Sequence, residues 1–257
     1  MKHTSFLAGA SALLCSQAAF SATVIQIPSF DPTTFFSGGI TAGIDFDDGT
    51  SSNYPDPTQS GFLSIPASNN KTYNVTTGGI TFDIVVTNAD QGNQNRNRNN
   101  VNAGRLINDF EQWYGRNQAG GVEASVNLSG LVANTNYQIS FFTFNVGSGQ
   151  TTHSFYEGTS SAAPLITSYT TSGNQNTYST WSPGITFEIN SGSGSEIDVT
   201  IQAPQFNAGP VTDPTQFIDS RLTLAGISVV QVATIPEPSS FAFVGLGALA
   251  LLRRRRK

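Results

Sequence analysis

The 257-residue chain carries 12 Lys and Arg against 17 Asp and Glu, and only 11% of its residues are charged, where about 25% is usual. The cations crowd the two ends, so residues 22–234 hold six of them against sixteen carboxylates, a net charge of −10. A body this acidic argues against nucleic acid and anionic lipid as its partners, because both require a cationic surface.

Residues 1–21 have three parts: Lys2 as a positive start, an apolar run from Phe6 to Leu14, and small residues in Ala19-Phe20-Ser21. That is the form of a secretory signal peptide, an apolar helix removed by signal peptidase beside Ser21. Cys15, the only cysteine, lies inside it, and Leu14 is not the small residue a lipidation site requires. The mature chain is therefore expected to lack cysteine, which excludes disulfides, thiolate chemistry and Cys-based zinc sites.

The segment Asp45-Phe-Asp-Asp-Gly49 sets Asp45, Asp47 and Asp48 at the end of an alternating stretch, with Asn53 and Asp56 beyond. A hard cation such as Ca2+ takes six to eight oxygen ligands, so a structural Ca2+ is one reading. The spacing departs from that of an EF-hand, and a solvated acidic turn is the other reading. Ile80, Phe82, Ile84 and Val86 then alternate with Thr81, Asp83 and Val85, a half-buried strand. Residues 90–100 have no apolar side chain and read as a surface loop. Their Arg96 and Arg98 offer planar donors suited to hydroxyl-rich or carboxylated sugars, and Trp113 and Tyr114 are close enough in sequence to stack on a sugar ring. The opposing reading pairs these arginines with Asp109 or Glu111.

Leu106, Ile107, Phe110, Trp113 and Tyr114 follow a helical period, with Asn102 as a cap. This allows a short helix near 103–115 or, equally, an aromatic-rich strand. Val122, Ala124, Val126 and Leu128 alternate again. Tyr137 to Phe144 is apolar enough for a central strand buried on both faces. Ile185, Phe187, Ile189 and then Ile197, Val199, Ile201 flank Ser191-Gly-Ser-Gly-Ser195, read as a hairpin loop. Leu222, Leu224, Ile227 and Val229 form a last strand, bulged at Gly226. Many short strands bounded by Gly, Asn, Pro and Ser predict an all-β fold, an antiparallel, jelly-roll-like β-sandwich over 22–234.

Catalysis finds little support. His153 is the only histidine of the body, and it reads as a surface residue in a Thr/Ser-rich strand; no serine sits in a nucleophile-elbow pattern. A glycosidase needs two carboxylates about 5–9.5 Å apart, and Asp109, Glu111, Glu123, Glu157 and Glu188 are available without any sequence sign that two converge. No Gly-rich phosphate loop precedes a helix.

Residues 235–257 form a separate segment. Pro236, Glu237 and Pro238 precede a twelve-residue apolar run, Phe241 to Leu252, and then Arg253, Arg254, Arg255 and Arg256 with Lys257. As a helix the run spans about 18 Å against a hydrocarbon core of about 30 Å, adequate for transient membrane association and marginal as a permanent anchor. The arginines would be held at the cytoplasmic face. The order of triplet, apolar run and arginine cluster resembles the PEP-CTERM sorting signal of Gram-negative bacteria. That resemblance implies recognition by an exosortase, removal of the tail near the triplet, and export to the cell envelope or beyond in an organism that makes extracellular polysaccharide.

Gly130-Leu-Val-Ala-Asn-Thr-Asn-Tyr137 is similar to a turn phrase of fibronectin-type and other extracellular sandwiches, and residues 80–230 resemble jelly-roll carbohydrate-binding modules, a resemblance that carries no ligand residues across. The combined expectation is a non-catalytic cell-surface or matrix protein in contact with extracellular polysaccharide. A polysaccharide-modifying enzyme on the same sandwich and a self-associating matrix component are the alternatives.

Overall fold

The computed structural model describes residues 22–26, 38–47, 61–66, 70–89, 111–116, 121–143, 151–171, 184–203 and 219–233. Among them the regular structure is all strand, in this order: β1 (Thr23–Gln26), β2 (Ala42–Asp47), β3 (Leu63–Pro66), β4 (Thr72–Thr77), β5 (Ile80–Thr87), β6 (Glu111–Arg116) and β7 (Val122–Ser129). Then follow β8 (Asn136–Phe142), β9 (Thr151–Glu157), β10 (Leu165–Thr171), β11 (Gly184–Asn190), β12 (Glu196–Ala203), β13 (Asp219–Leu224) and β14 (Gly226–Gln231).

Two six-stranded sheets face each other. The first runs β1-β11-β8-β14-β2-β3 and the second β10-β9-β12-β7-β5-β4. All neighbours are antiparallel except β2 and β3, which are parallel. Period-two alternation decides which side chains meet between them. Ile44 and Phe46, Tyr137, Ile139 and Phe141, Ile185 and Phe187, and Ile227 and Val229 come from the first sheet. Phe82 and Ile84, Ala124, Val126 and Leu128, Val199 and Ile201, and Phe155 come from the second. Phe155 bridges the sheets, its ring 5.6 Å from Phe141 and 5.1 Å from Phe187. Each such buried side chain contributes about 1.5–3 kcal/mol of hydrophobic stabilisation. β8, predicted as central, is buried on both faces, with Ile139, Phe141 and Phe142 all closed from solvent.

One end of the sandwich is closed by two connections that change sheets. Residues 130–135 carry the chain from β7 in the second sheet to β8 in the first, and 191–195 carry it back from β11 to β12. The Ser191–Ser195 segment is thus a crossover and not the hairpin its flanks predict. Period two tells which face of a strand is buried, and leaves open which sheet it joins. The two crossovers are bonded to one another: Ser191 N–H donates to Thr135 O at 3.0 Å, Asn134 N–H to Gly192 O at 2.7 Å, and Ser191 Oγ to Val132 O at 2.6 Å. Leu131 plugs the core beneath them, and the Tyr137 hydroxyl accepts from Val132 N–H at 2.8 Å. Gly130 permits this approach. Its φ is +81°, and a Cβ there would stand 2.6 Å from the Gly79 carbonyl oxygen.

The opposite end is closed by the antiparallel ribbon of β6 and β13, in which Trp113 pairs with Leu222. Residues 111–115 of the segment with helical period are therefore strand; residues 103–110 lie outside the described residues. Trp113, Leu222 and Leu224 are fully buried. Trp113 meets Phe46 and Tyr73 edge-on at 6.2 and 6.5 Å, and its Nε1–H donates to Asn70 O at 3.2 Å. Ser220 ties the ribbon to the second sheet, accepting from Val122 N–H and donating to Ala203 O. At Ala225 the chain leaves the ribbon and enters the first sheet as β14, Ala225 N–H donating to Phe142 O at 2.7 Å. The predicted single last strand is thus two, and this one-residue break changes the phase of alternation from Leu222 and Leu224 to Ile227 and Val229.

His153, expected at the surface, is buried under this ribbon on the core face of β9. Its Nε2 accepts from Thr223 N–H at 3.3 Å, which places the ring proton on Nδ1, and Nδ1 has no partner. Burial pushes its pKa down from 6.5 to about 4, so the ring is neutral at physiological pH.

Candidate functional site

The outward faces of the two sheets differ in access. On the first, Ser140, Thr186, Ser228 and Asp45 are buried together with Phe142, and Ser140 and Thr186 share a hydrogen bond of 2.8 Å. Ser228 Oγ has no partner. On the second sheet the outward residues are mostly accessible and almost wholly polar, so this is the face that can meet a large partner.

Register lines its side chains into rows across the strands. One row is Asn74, Asp83, Asn127 and Asp198, in which Asn127 Nδ2–H donates to Asp198 Oδ1 at 2.9 Å. Another is Thr87, Glu123, Gln202, Ser154 and Ser168. Here Gln202 Nε2–H donates to Glu123 Oε1 at 3.2 Å, the Tyr156 hydroxyl donates to Gln202 Oε1 at 3.0 Å, and Ser161 Oγ also donates to Glu123. Hydroxyl pairs continue the pattern: Thr76 with Thr81, Ser154 with Ser168, and Thr152 with Thr170, each at 2.8–2.9 Å. These bonds fix the rotamers of short side chains on a rigid sheet. The face therefore presents ordered donors and acceptors at low entropic cost to a partner. Its described ionisable groups, Asp83, Glu123, Glu196 and Asp198, are all acidic.

The sequence-derived candidates distribute as follows. Asp45 is buried on the outward face of the first sheet, paired in register with Gly226 and Ser64. Asp47 ends β2, with only its backbone described, and Asp48, Arg96 and Arg98 lie outside the described residues. Trp113 is enclosed in the core and offers no ring face to solvent, while Tyr114 pairs in register with Arg221. Among the described residues no three His, Cys, Asp or Glu side chains form a group able to hold a metal ion. Glu123 and Glu188 face outward from different sheets, so these two carboxylates do not flank a common bond. Glu188 instead accepts from Asn136 Nδ2–H at 3.2 Å. The hydrogen-bonded rows were legible in the sequence only as polar positions in alternating strands; which of them meet depends on pairings between residues up to 79 apart. No described helix is long and apolar enough to cross a membrane.

Residues 234–257 match the PEP-CTERM protein-sorting motif. No curated protein matches the chain. Among solved structures, Xyl-CBM35 in complex with a glucuronic acid containing disaccharide is similar at 15% identity and a TM-score of 0.27, over 46% of this chain and 73% of that one. CBM35 from Cellvibrio japonicus Abf62 is similar at 15% identity and a TM-score of 0.30, over 57% and 92%. The K1 cleaved adhesin domain of Lys-gingipain from Porphyromonas gingivalis W83 is similar at 9% identity and a TM-score of 0.35, over 59% and 91%.

Proposed function

We propose that this is a non-catalytic protein of the cell surface or extracellular matrix, sorted through its C-terminal motif and contacting extracellular polysaccharide through the open face of its second sheet. The sorting motif at 234–257 carries the surface assignment. On this reading an exosortase recognises Pro236, Glu237 and Pro238 with the apolar run and arginines behind them, and removes the tail near the triplet. The tail rests transiently in the membrane beforehand, and a signal peptidase removes residues 1–21.

The ordered rows of hydroxyls, amides and carboxylates support the polysaccharide contact, since sugar hydroxyls both donate and accept. The acidic balance of the face favours a neutral glycan over one rich in uronic acids, because like charges brought together repel. Arg96 and Arg98 would add donors for sugar oxygens, and Ca2+ held by Asp45, Asp47 and Asp48 would be structural; ion and arginines alike are open to test by chelation and by substitution with alanine.

Affinity electrophoresis through gels containing the host's extracellular polysaccharide tests the contact. Retardation of the purified protein is expected, together with its loss in a Tyr156→Ala, Gln202→Ala double variant that still unfolds cooperatively. Unretarded migration in the host's polysaccharide and in a panel of neutral glycans would sink the proposal. Intact mass of the exported protein tests the sorting step: a C-terminus close to Pro236–Pro238 is expected, and retention of Lys257 contradicts removal.

A further inference from the structure

Both ends of the described body leave from the same end of the sandwich. β1 enters there, with Thr23 level with Glu188, two residues short of the end of β11 that leads into the second crossover. β14 leaves there, with Gln231 level with Tyr137 and Val232 N–H donating to Asn136 O at 2.9 Å. The same end carries the crossovers 130–135 and 191–195 and the Gly78-Gly79 turn. The segments 88–110, 143–150, 172–183 and 204–218 start from the opposite end, after β5, β8, β10 and β12, whereas the chain enters β2 and β3 from the crossover side, with Thr41 against Gly78.

We infer that the crossover end is the membrane-facing surface of the body for as long as the sorting tail is attached, with the strands standing away from the bilayer. This rests on the reading of residues 234–257 as a membrane-held sorting tail, and not on polysaccharide binding. The tether from Val232 to Phe241 is nine residues, about 30 Å at full extension but roughly 17 Å on average for a flexible chain. From Glu196 at the crossover end to the level of Thr170 near the other end is about eight strand residues, or roughly 26 Å. To bring the far end to the bilayer, the tether would have to double back along the body at nearly its full contour. Among the described residues the surface so presented is mostly uncharged, with Asn134, Asn136 and Ser193, the exposed side chain of Val132, and Glu196 at its rim. It can lie against headgroups without the cost that the acidic face of the second sheet would incur.

The consequence is that the polar face stands roughly perpendicular to the membrane and open along its length before the tail is cut. The test uses the full chain with Cys15→Ser, so that an introduced thiol is the only one. A donor dye is placed at Ser193→Cys on the crossover end or at Thr170→Cys on the far end, both exposed positions. Each protein is bound to vesicles of phosphatidylethanolamine and phosphatidylglycerol that carry an acceptor dye on the headgroups. Energy transfer at Ser193→Cys is expected to exceed that at Thr170→Cys roughly twofold or more over the ~26 Å separation. Gly194→Cys, in open space, and Thr152→Cys supply a second pair should either label disturb folding. Equal transfer at the two ends, stronger transfer at the far end, or no transfer at either would overturn the inference. Loss of glycan retardation leaves it standing.

Discussion

Acidification provides a direct test of how His153 is held. The folded protein keeps the imidazole neutral with a pKa of about 4, because protonation would place a charge in the core with a single acceptor contact to Thr223 and no partner for Nδ1. In the unfolded chain the same ring titrates at about 6.5. The unfolded state therefore takes up the proton first as pH falls. Stability from this group is present in full above pH 6.5 and is lost between about pH 6.5 and 4, at up to about 1.4 kcal/mol per pH unit and about 3 kcal/mol in all. Urea unfolding of the wild type and of His153→Gln, measured from pH 7.5 to 4.5, isolates this contribution. Gln keeps an acceptor for Thr223 N–H and does not titrate, so the carboxylates common to both proteins cancel in the difference. The wild type should lose stability relative to the variant over this range, with the ribbon of β6 and β13 exchanging its amides first. A difference that stays flat with pH, or a His153 resonance that titrates near 6.5 in the native protein, would refute the placement of this ring.

Four substitutions probe the closures of the sandwich by chemical denaturation. Gly130→Ala should cost about 1–3 kcal/mol, because it puts a Cβ against the Gly79 carbonyl at a positive φ, whereas Gly194→Ala, in open space, should stay within about 0.5 kcal/mol. Trp113→Ala should cost about 3–5 kcal/mol and leave binding by the second sheet intact if the variant folds, since its ring fills the core. Tyr137→Phe should cost about 1–3 kcal/mol by leaving Val132 N–H without its acceptor.

The strands most legible in the sequence are those whose two faces differ most. Residues 80–86 and 122–128 alternate cleanly because one face packs and the other is more open, 185–189 and 197–201 keep the alternation of apolar and polar residues although Thr186 and Thr200 are buried, and 137–142 is rich in apolar residues because β8 is covered on both sides. What is not legible depends on distant partners. β6 is a strand because β13, more than a hundred residues later, pairs with it. The polar neighbours of His153 belong to the outward face of β9 and gave no sign of the ribbon that covers the ring between them. The candidate face was visible only as a supply of hydroxyls and amides; the sequence could not reveal that Tyr156, Gln202, Glu123 and Ser161 form one bonded chain. The sorting tail, by contrast, is a linear signal and could be read directly.

The position of β14 has a mechanical consequence. It is an interior strand, paired with β8 over six residues and with β2 over four, and the tail is its direct continuation. Tension on a tethered C-terminus, such as flowing water or a contracting matrix would apply, therefore acts along the strand and loads both ladders in shear. Shear requires many hydrogen bonds to break together, whereas peeling an edge strand breaks them singly. The body is strung so that a pull on its attachment point meets the direction in which the first sheet is strongest.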